Sequence, residues 1–185
     1  MNSNPLRSGL GAKNFKSIQK PAPDHLGSPF LASYTSKMSQ TVLIISGTGV
    51  QGAAVVQALV EAGGFKVKIL TRSATSPAAV ALSALPGVSI IEGSCYDETD
   101  LNNAYKDIDA TYVNTNSGIL GEMAEIYWGI RIFQIASNHG VKHFVWAGLD
   151  YIPKLKGYNN DPNLRVKHYE GKGKVNRKQN LSSLS

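Results

Sequence analysis

The run Ser46-Gly47-Thr48-Gly49-Val50-Gln51-Gly52 spaces three glycines as G-x-G-x-x-G. Alone that pattern is weak. Here it directly follows a continuous apolar run, Thr41–Ser46 (TVLIIS), and opens a segment of helical period, which is the context its mechanism requires. Gly47 and Gly49 let the backbone turn tightly and come close to a phosphate, and Gly52 lets the helix approach the strand. The free N–H groups and positive dipole end at the helix start then face the anion. The plainer alternative is a tight strand-to-helix turn that holds nothing.

A second chemical position lies about 20 residues further on, where domains preferring NAD carry an acid for the ribose hydroxyls. The chain instead reads Thr71-Arg72-Ser73 there. A guanidinium at that place suits the 2′-phosphate of NADP by charge and by stacking on adenine. The sequence shows no nearby acid to repel that phosphate, so NADP(H) is the expected cofactor. The competing reading is a solvated arginine at a strand end.

Other chemistries find no support. The four histidines, His25, His139, His143 and His168, are scattered and form no ligand set, so no metal is expected. There is no G-x-S-x-G elbow, and no Gly-Lys-Ser/Thr follows the glycine turn. Cys95 is the single cysteine; it reads as a small core or loop residue, with a redox switch as the alternative.

The elements that must position these residues alternate between strand-length apolar runs and helical segments. After Thr41–Ser46 come a helix over Val50–Ala62, a strand over Lys66–Thr71 and a short helix around Pro77–Leu85. Next are a strand over Val88–Glu92, a helix over Glu98–Tyr105 and a strand over Ala110–Thr115. The longest helix is expected over Glu122–Asn138 with Ile126, Ile130 and Phe133 on its core face, followed by a strand over Val141–Ala147 and a final helix from near Val166 through His168–Val175. Right-handed crossovers between five such strands predict an α/β, Rossmann-type, doubly wound parallel sheet of order 3-2-1-4-5. Residues 1–40 read as a disordered extension, 41–175 as the folded domain and 176–185 as an irregular tail.

Charge is distributed unevenly. The chain of 185 residues carries +6 overall, but residues 1–40 hold +4, residues 41–150 hold −4 and residues 151–185 hold +6. A duplex-binding fold puts its basic charge on a folded face, so direct nucleic-acid binding is not expected. No apolar run approaches the ~20 residues of a membrane span. A reducing compartment, cytoplasm or nucleus, fits one cysteine; a mitochondrial targeting role for the basic N-terminus, whose only acid is Asp24, is the alternative.

With the turn, Arg72 and the phrases Gly140-Val141-Lys142-His143-Phe144-Val145-Trp146 and His168-Tyr169-Glu170-Gly171-Lys172-Gly173 in view, residues 41–175 resemble the NmrA-like group of atypical short-chain dehydrogenase/reductases, especially its fungal members. The group carries a G-x-x-G-x-Q-G-type turn, so Ser46 stands where its first glycine would be, a departure that makes the turn less permissive. The resemblance implies that Ser46 to Gly52 cradle a pyrophosphate and that Arg72 with Ser73 takes the 2′-phosphate. It places Ser94 and Cys95 at the adenine end, where Ser94 replaces an acid of the family. Thr115, Asn116 and Lys172 would lie at the nicotinamide ribose.

Dehydrogenases of this superfamily use a Tyr-x-x-x-Lys pair, in which the lysine charge lowers the phenol pKa for proton exchange with substrate. This chain keeps the spacing with His168 as first member and Lys172 as second, and offsets Tyr169 by one position, roughly 100° around a helix. Two functions follow. His168 with Lys172, or Tyr151, carries an NADPH-dependent reduction of a quinone, carbonyl or C=C substrate; or the fold binds NADP(H) without turnover and reports redox state to a regulatory protein partner. The resemblance and the lost tyrosine favour the second, and a scaffold that fills no cofactor site is the third reading. Family members continue past this point into a small substrate-binding part, and the ending here departs from the pattern just after Val175. The expectation is an incomplete C-terminal part and a half-walled pocket, which leaves turnover open.

Overall fold

The computed structural model describes residues 39–154, 157, 161–164 and 166–182; within them the side chains of residues 164, 167, 168 and 180–182 are outside the described set. The extension expected over 1–40 therefore falls outside the described residues as far as Met38, while Gln40 already belongs to the first strand.

Five parallel strands form one sheet: β1 (Gln40–Ile45), β2 (Phe65–Thr71), β3 (Val88–Glu92), β4 (Ala110–Val113) and β5 (His143–Trp146), in the order β3-β2-β1-β4-β5. The expected order is the observed one. β1 lies at the centre, and its residues alternate between two cores. Leu43 and Ile45 pack with Leu70, Leu101, Tyr105, Val113, Ile132 and Ile135, while Val42 and Ile44 pack with Val56, Val67, Ile69 and Leu82. A strand buried on both faces by helices is why TVLII reads as an unbroken apolar run.

The helices are α1 (Val50–Ala62), α2 (Pro77–Ser83), α3 (Glu98–Ala104), α4 (Ser117–Asn138) and α5 (Lys167–Ser182), with two single 3₁₀ turns at Ile152–Lys154 and Pro162–Leu164. α2 and α3 begin on side-chain caps, Ser76 accepting from Ala79 N–H and Asp97 from Asp100 N–H. α1 has no such cap and no acid in its first turn.

Three expectations change. α4 starts earlier than the expected Glu122 because a helical turn from Ser117 precedes it, broken at Gly121, whose φ of 72° only glycine adopts freely. Its fully buried face is Glu125, Gly129, Ile132, Ile135 and Ala136, and not Ile126, Ile130 and Phe133, which are half-buried. The reason is α5: a Cβ at Gly129 would stand 2.7 Å from Val175 Cγ2, so the glycine admits α5 against that face. The expected irregular tail is also corrected, since residues 176–182 continue α5, and Gln179 Nε2 donates to Gly129 O at 3.4 Å.

Candidate functional site

The sheet order reverses between β1 and β4, so the chain leaves their C-terminal ends in opposite directions and opens a crevice there. A groove of about 610 Å³ fills it, walled by Ser46, Gly49, Val50 and Gln51 after β1, by Asn114 to Gly118 after β4, by Ala147 to Leu149 after β5, and by Lys172 of α5. Seven of the sequence-predicted residues thus share one wall system: Ser46, Gly49, Val50, Gln51, Thr115, Asn116 and Lys172.

Gly47, Thr48 and Gly52 build the turn without lining the groove. A Cβ at Gly52 would lie 2.3 Å from Ser46 O and 2.7 Å from Gly47 Cα, so no other residue lets α1 start this close to the turn. Gly49 N–H is tied to Ser46 O at 3.0 Å. Ser46 itself has a φ of 62°, in the left-handed region where a glycine costs least. The departure noted at this position is therefore a residue held in a conformation that suits the glycine it replaces.

Lys172 is buried at 7% exposure, and its ammonium is fully occupied. Nζ donates to Asn114 Oδ1 at 3.0 Å, Thr115 O at 3.0 Å and Thr115 Oγ1 at 3.2 Å, and stands 3.5 Å from Glu125 Oε1. The same Glu125 oxygen accepts from Thr115 Oγ at 2.7 Å and Ser117 Oγ at 2.8 Å, while Oε2 is buried without a hydrogen-bond partner. Burial draws the Lys172 ammonium below the usual lysine range, and the Glu125 carboxylate opposes that shift. Asn114 Nδ2 also donates to Gln51 Oε1 at 2.9 Å, so one chain of bonds runs from the glycine turn through β4 to α5 and α4. Trp146 supports the lysine from β5, its indole N–H donating to Lys172 O at 3.3 Å.

Arg72, Ser73, Ser94 and Cys95 stand apart from this groove, at the ends of β2 and β3. Arg72 and Ser73 are exposed, and Arg72 makes no hydrogen bond or ion pair among the described residues. Ser94 N–H is held by Asp100 Oδ2 at 2.8 Å. Burial pushes the Cys95 thiol up, with the Arg72 charge a minor opposing influence, so this cysteine is not an activated thiolate. One expectation is corrected: an acid does reach the bend that follows Arg72. Glu92 Oε2 accepts from Ala74 N–H at 2.9 Å.

The side chain of His168 lies outside the described residues. Tyr151, the other candidate proton donor, does not line the groove, and its ring lies 5.5 Å from Lys174 Nζ and 5.8 Å from Arg177 Cζ. Tyr96 comes closer, its hydroxyl accepting from Asn116 N–H at 3.2 Å, but burial pushes its pKa up to about 12. Among the described residues, no tyrosine lines the groove with Lys172.

Sequence reasoning missed Asn114, Ser117, Glu125 and Glu92. Glu125 left one trace, being an acid on the 125–129–132–136 spacing that the buried face of α4 follows. Asn114 and Glu92 left none, because their partners are distant in sequence.

The described residues include no group of three or more His, Cys, Asp or Glu suited to a metal ion, and no helix long and apolar enough to cross a membrane. The model of the NmrA-like family matches residues 38–185. An NmrA-like family domain-containing protein of Dictyostelium discoideum is 32% identical over 149 residues, covering 80% of this chain and 47% of the relative. The NmrA-like family domain-containing oxidoreductase himF of Aspergillus japonicus is 31% identical over 138 residues, covering 70% and 41%. Among solved structures, NmrA, described as a negative transcriptional regulator, superposes with a TM-score of 0.67 at 19% identity over 79% of this chain and 43% of that one. Its complexes with NAD and with NADP give 0.55 and 0.54, each at 20% identity over 61% of this chain and 34% of the other. The chain spans less than half the length of these relatives. Its sheet, its glycine turn and the family match over most of its length lead to one conclusion: the chain belongs to the NmrA-like family.

Proposed function

We propose that this protein binds a nicotinamide dinucleotide, NADP(H) in preference, along the C-terminal ends of β2, β1 and β4. The observation that carries the reading is the glycine turn: Gly52 admits no Cβ, and the uncapped, acid-free start of α1 opens beside a groove that Lys172 also lines. These residues fit such a ligand. The α1 N-terminus with Ser46 to Gly52 would hold the pyrophosphate, Arg72 and Ser73 the 2′-phosphate, Ser94 and Cys95 the adenine side, and Thr115, Asn116 and Lys172 the nicotinamide ribose. When bound, the dinucleotide supplies hydride-transfer chemistry; this chain's residues bind and orient it.

We further infer that the bound form reports redox state to a protein partner without turnover. In favour stands the lining of the groove, where among the described residues no tyrosine accompanies Lys172. NmrA's description as a regulator agrees with this. The second reading, reduction of a quinone, carbonyl or C=C substrate with His168 and Lys172 in the acid–base role, is favoured by the fungal relatives named as oxidoreductases. Calorimetry with NADP+ and NADPH, followed by NADPH oxidation assays against quinones and aldehydes, separates them. Binding without turnover supports the regulator and turnover supports the reductase. Absence of binding overturns both.

A further inference from the structure

Glu92 ends β3, and its partner in the sheet register is Thr71, the last residue of β2. Its carboxylate reaches across to accept the Ala74 N–H at 2.9 Å, and so stands in the bend formed by Arg72, Ser73 and Ala74. The acid that domains preferring an unphosphorylated ribose carry at the end of β2 is here delivered sideways, from the next strand. Glu92 and Arg72 are both exposed, and among the described residues neither is in an ion pair. An acid and a base thus stand at the same end of neighbouring strands, Glu92 bonded two residues beyond Arg72, with no ion pair between them among the described residues.

Such a carboxylate acts in opposite directions on two ligands. Toward a ribose 2′-hydroxyl it is an acceptor. Toward a 2′-phosphate it is a like charge, and it already occupies a backbone donor that the phosphate would otherwise use. Arg72 pulls the other way, as a fork of donors matched to phosphate. We propose that Glu92 is a specificity-determining residue that narrows the preference for a 2′-phosphorylated dinucleotide created by Arg72, leaving a site that accepts both forms. The proposal rests on the dinucleotide reading above. A loop fastener would need only an acceptor, and glutamine supplies one; the specificity role needs the charge.

The variant E92Q keeps the amide oxygen that can accept from Ala74 N–H and removes the charge. NADPH and NADH are titrated calorimetrically into the wild type, E92Q, E92K and R72Q, with circular dichroism confirming the fold of each. The expected result is that the ratio of NADH to NADPH dissociation constants rises about two- to fivefold in E92Q, the size typical of one exposed charge interaction. It rises further in E92K and falls in R72Q. The gain in E92Q shrinks as salt is raised, because exposed charges are screened. An unchanged ratio in E92Q and E92K, with both ligands still bound, overturns this proposal alone. A wild type that binds neither ligand overturns it together with the dinucleotide reading.

Discussion

Ser46 sits at the end of β1 with a φ of 62°, a conformation that costs an L-residue about 1–2 kcal/mol. A glycine there escapes that strain but adds roughly 0.5–1 kcal/mol of unfolded-state entropy to be lost. Ser46→Gly is therefore expected to leave stability within about 1 kcal/mol of the wild type, on the stabilising side, whereas Ser46→Val, β-branched at positive φ, loses about 2 kcal/mol or more. Urea midpoints decide it; equal effects of the two substitutions would mean that the turn relaxes out of this conformation. Lys172 carries a second residue-scale expectation. Because burial draws its ammonium below the ordinary 10.5, the unfolded chain holds that proton more tightly than the folded one in the window below 10.5. Stability from this group rises with pH there, and is lost again as pH falls through the folded-state value. The stability difference between wild type and Lys172→Met should shift in favour of the wild type as pH rises toward 10.5. A difference independent of pH in unfolding titrations would contradict the burial of a charged amine.

At the scale of elements, the seam between α4 and α5 decides whether Lys172 reaches the groove. Gly129 brings the helices together, since a Cβ there would lie 2.7 and 2.8 Å from the Val175 methyls and 3.0 Å from Trp146. Gly129→Ala overpacks this contact and is expected to cost about 1–3 kcal/mol. Val175→Ala in the same chain should recover part of it, giving a coupling above about 0.5 kcal/mol in a double-mutant cycle on unfolding free energy. Additive losses would mean the two side chains do not meet. The same seam separates what the sequence could reveal from what it could not. β1, α1 and the turn between them were legible because their signals are local: an apolar run, a 3.6-residue period, and glycines at fixed offsets. The core face of α4 was not. Periodicity selects the apolar stripe Ile126–Ile130–Phe133, but the buried stripe holds a glutamate and a glycine, and only the partner helix makes those two residues core. Likewise Lys172 was visible through a family phrase, while Asn114 and Glu125, which fix its amine, are 58 and 47 positions away (172 − 114 and 172 − 125) and enter only through tertiary contact.

For the molecule as a whole, the groove is assembled from parts that are far apart along the chain. The turn after β1, the ends of β4 and β5, and α5 meet only at the place where the strand order reverses. No one of these segments carries a dinucleotide site, so a ligand that binds there binds the folded state only. Mass action then makes binding visible as stability: at a ligand concentration about 100 times Kd, the fold gains about 2.7 kcal/mol. Residues 41–150 carry a net −4 and residues 151–185, which include α5, a net +6, so no net negative field opposes a polyanionic ligand, and its phosphates would meet Arg72 and the start of α1 locally. NADPH should raise the thermal midpoint at low salt, and the shift should respond to ionic strength more strongly than that of NADH, which lacks the 2′-phosphate proposed to meet Arg72. Thermal unfolding of the wild type and Arg72→Gln with both dinucleotides, at two salt concentrations, tests this. Arg72→Gln should remove the extra salt dependence of NADPH while keeping a shift with both ligands, since the turn and Lys172 remain. If Arg72→Gln leaves the salt dependence of NADPH unchanged, the arginine is not the group that meets the phosphate.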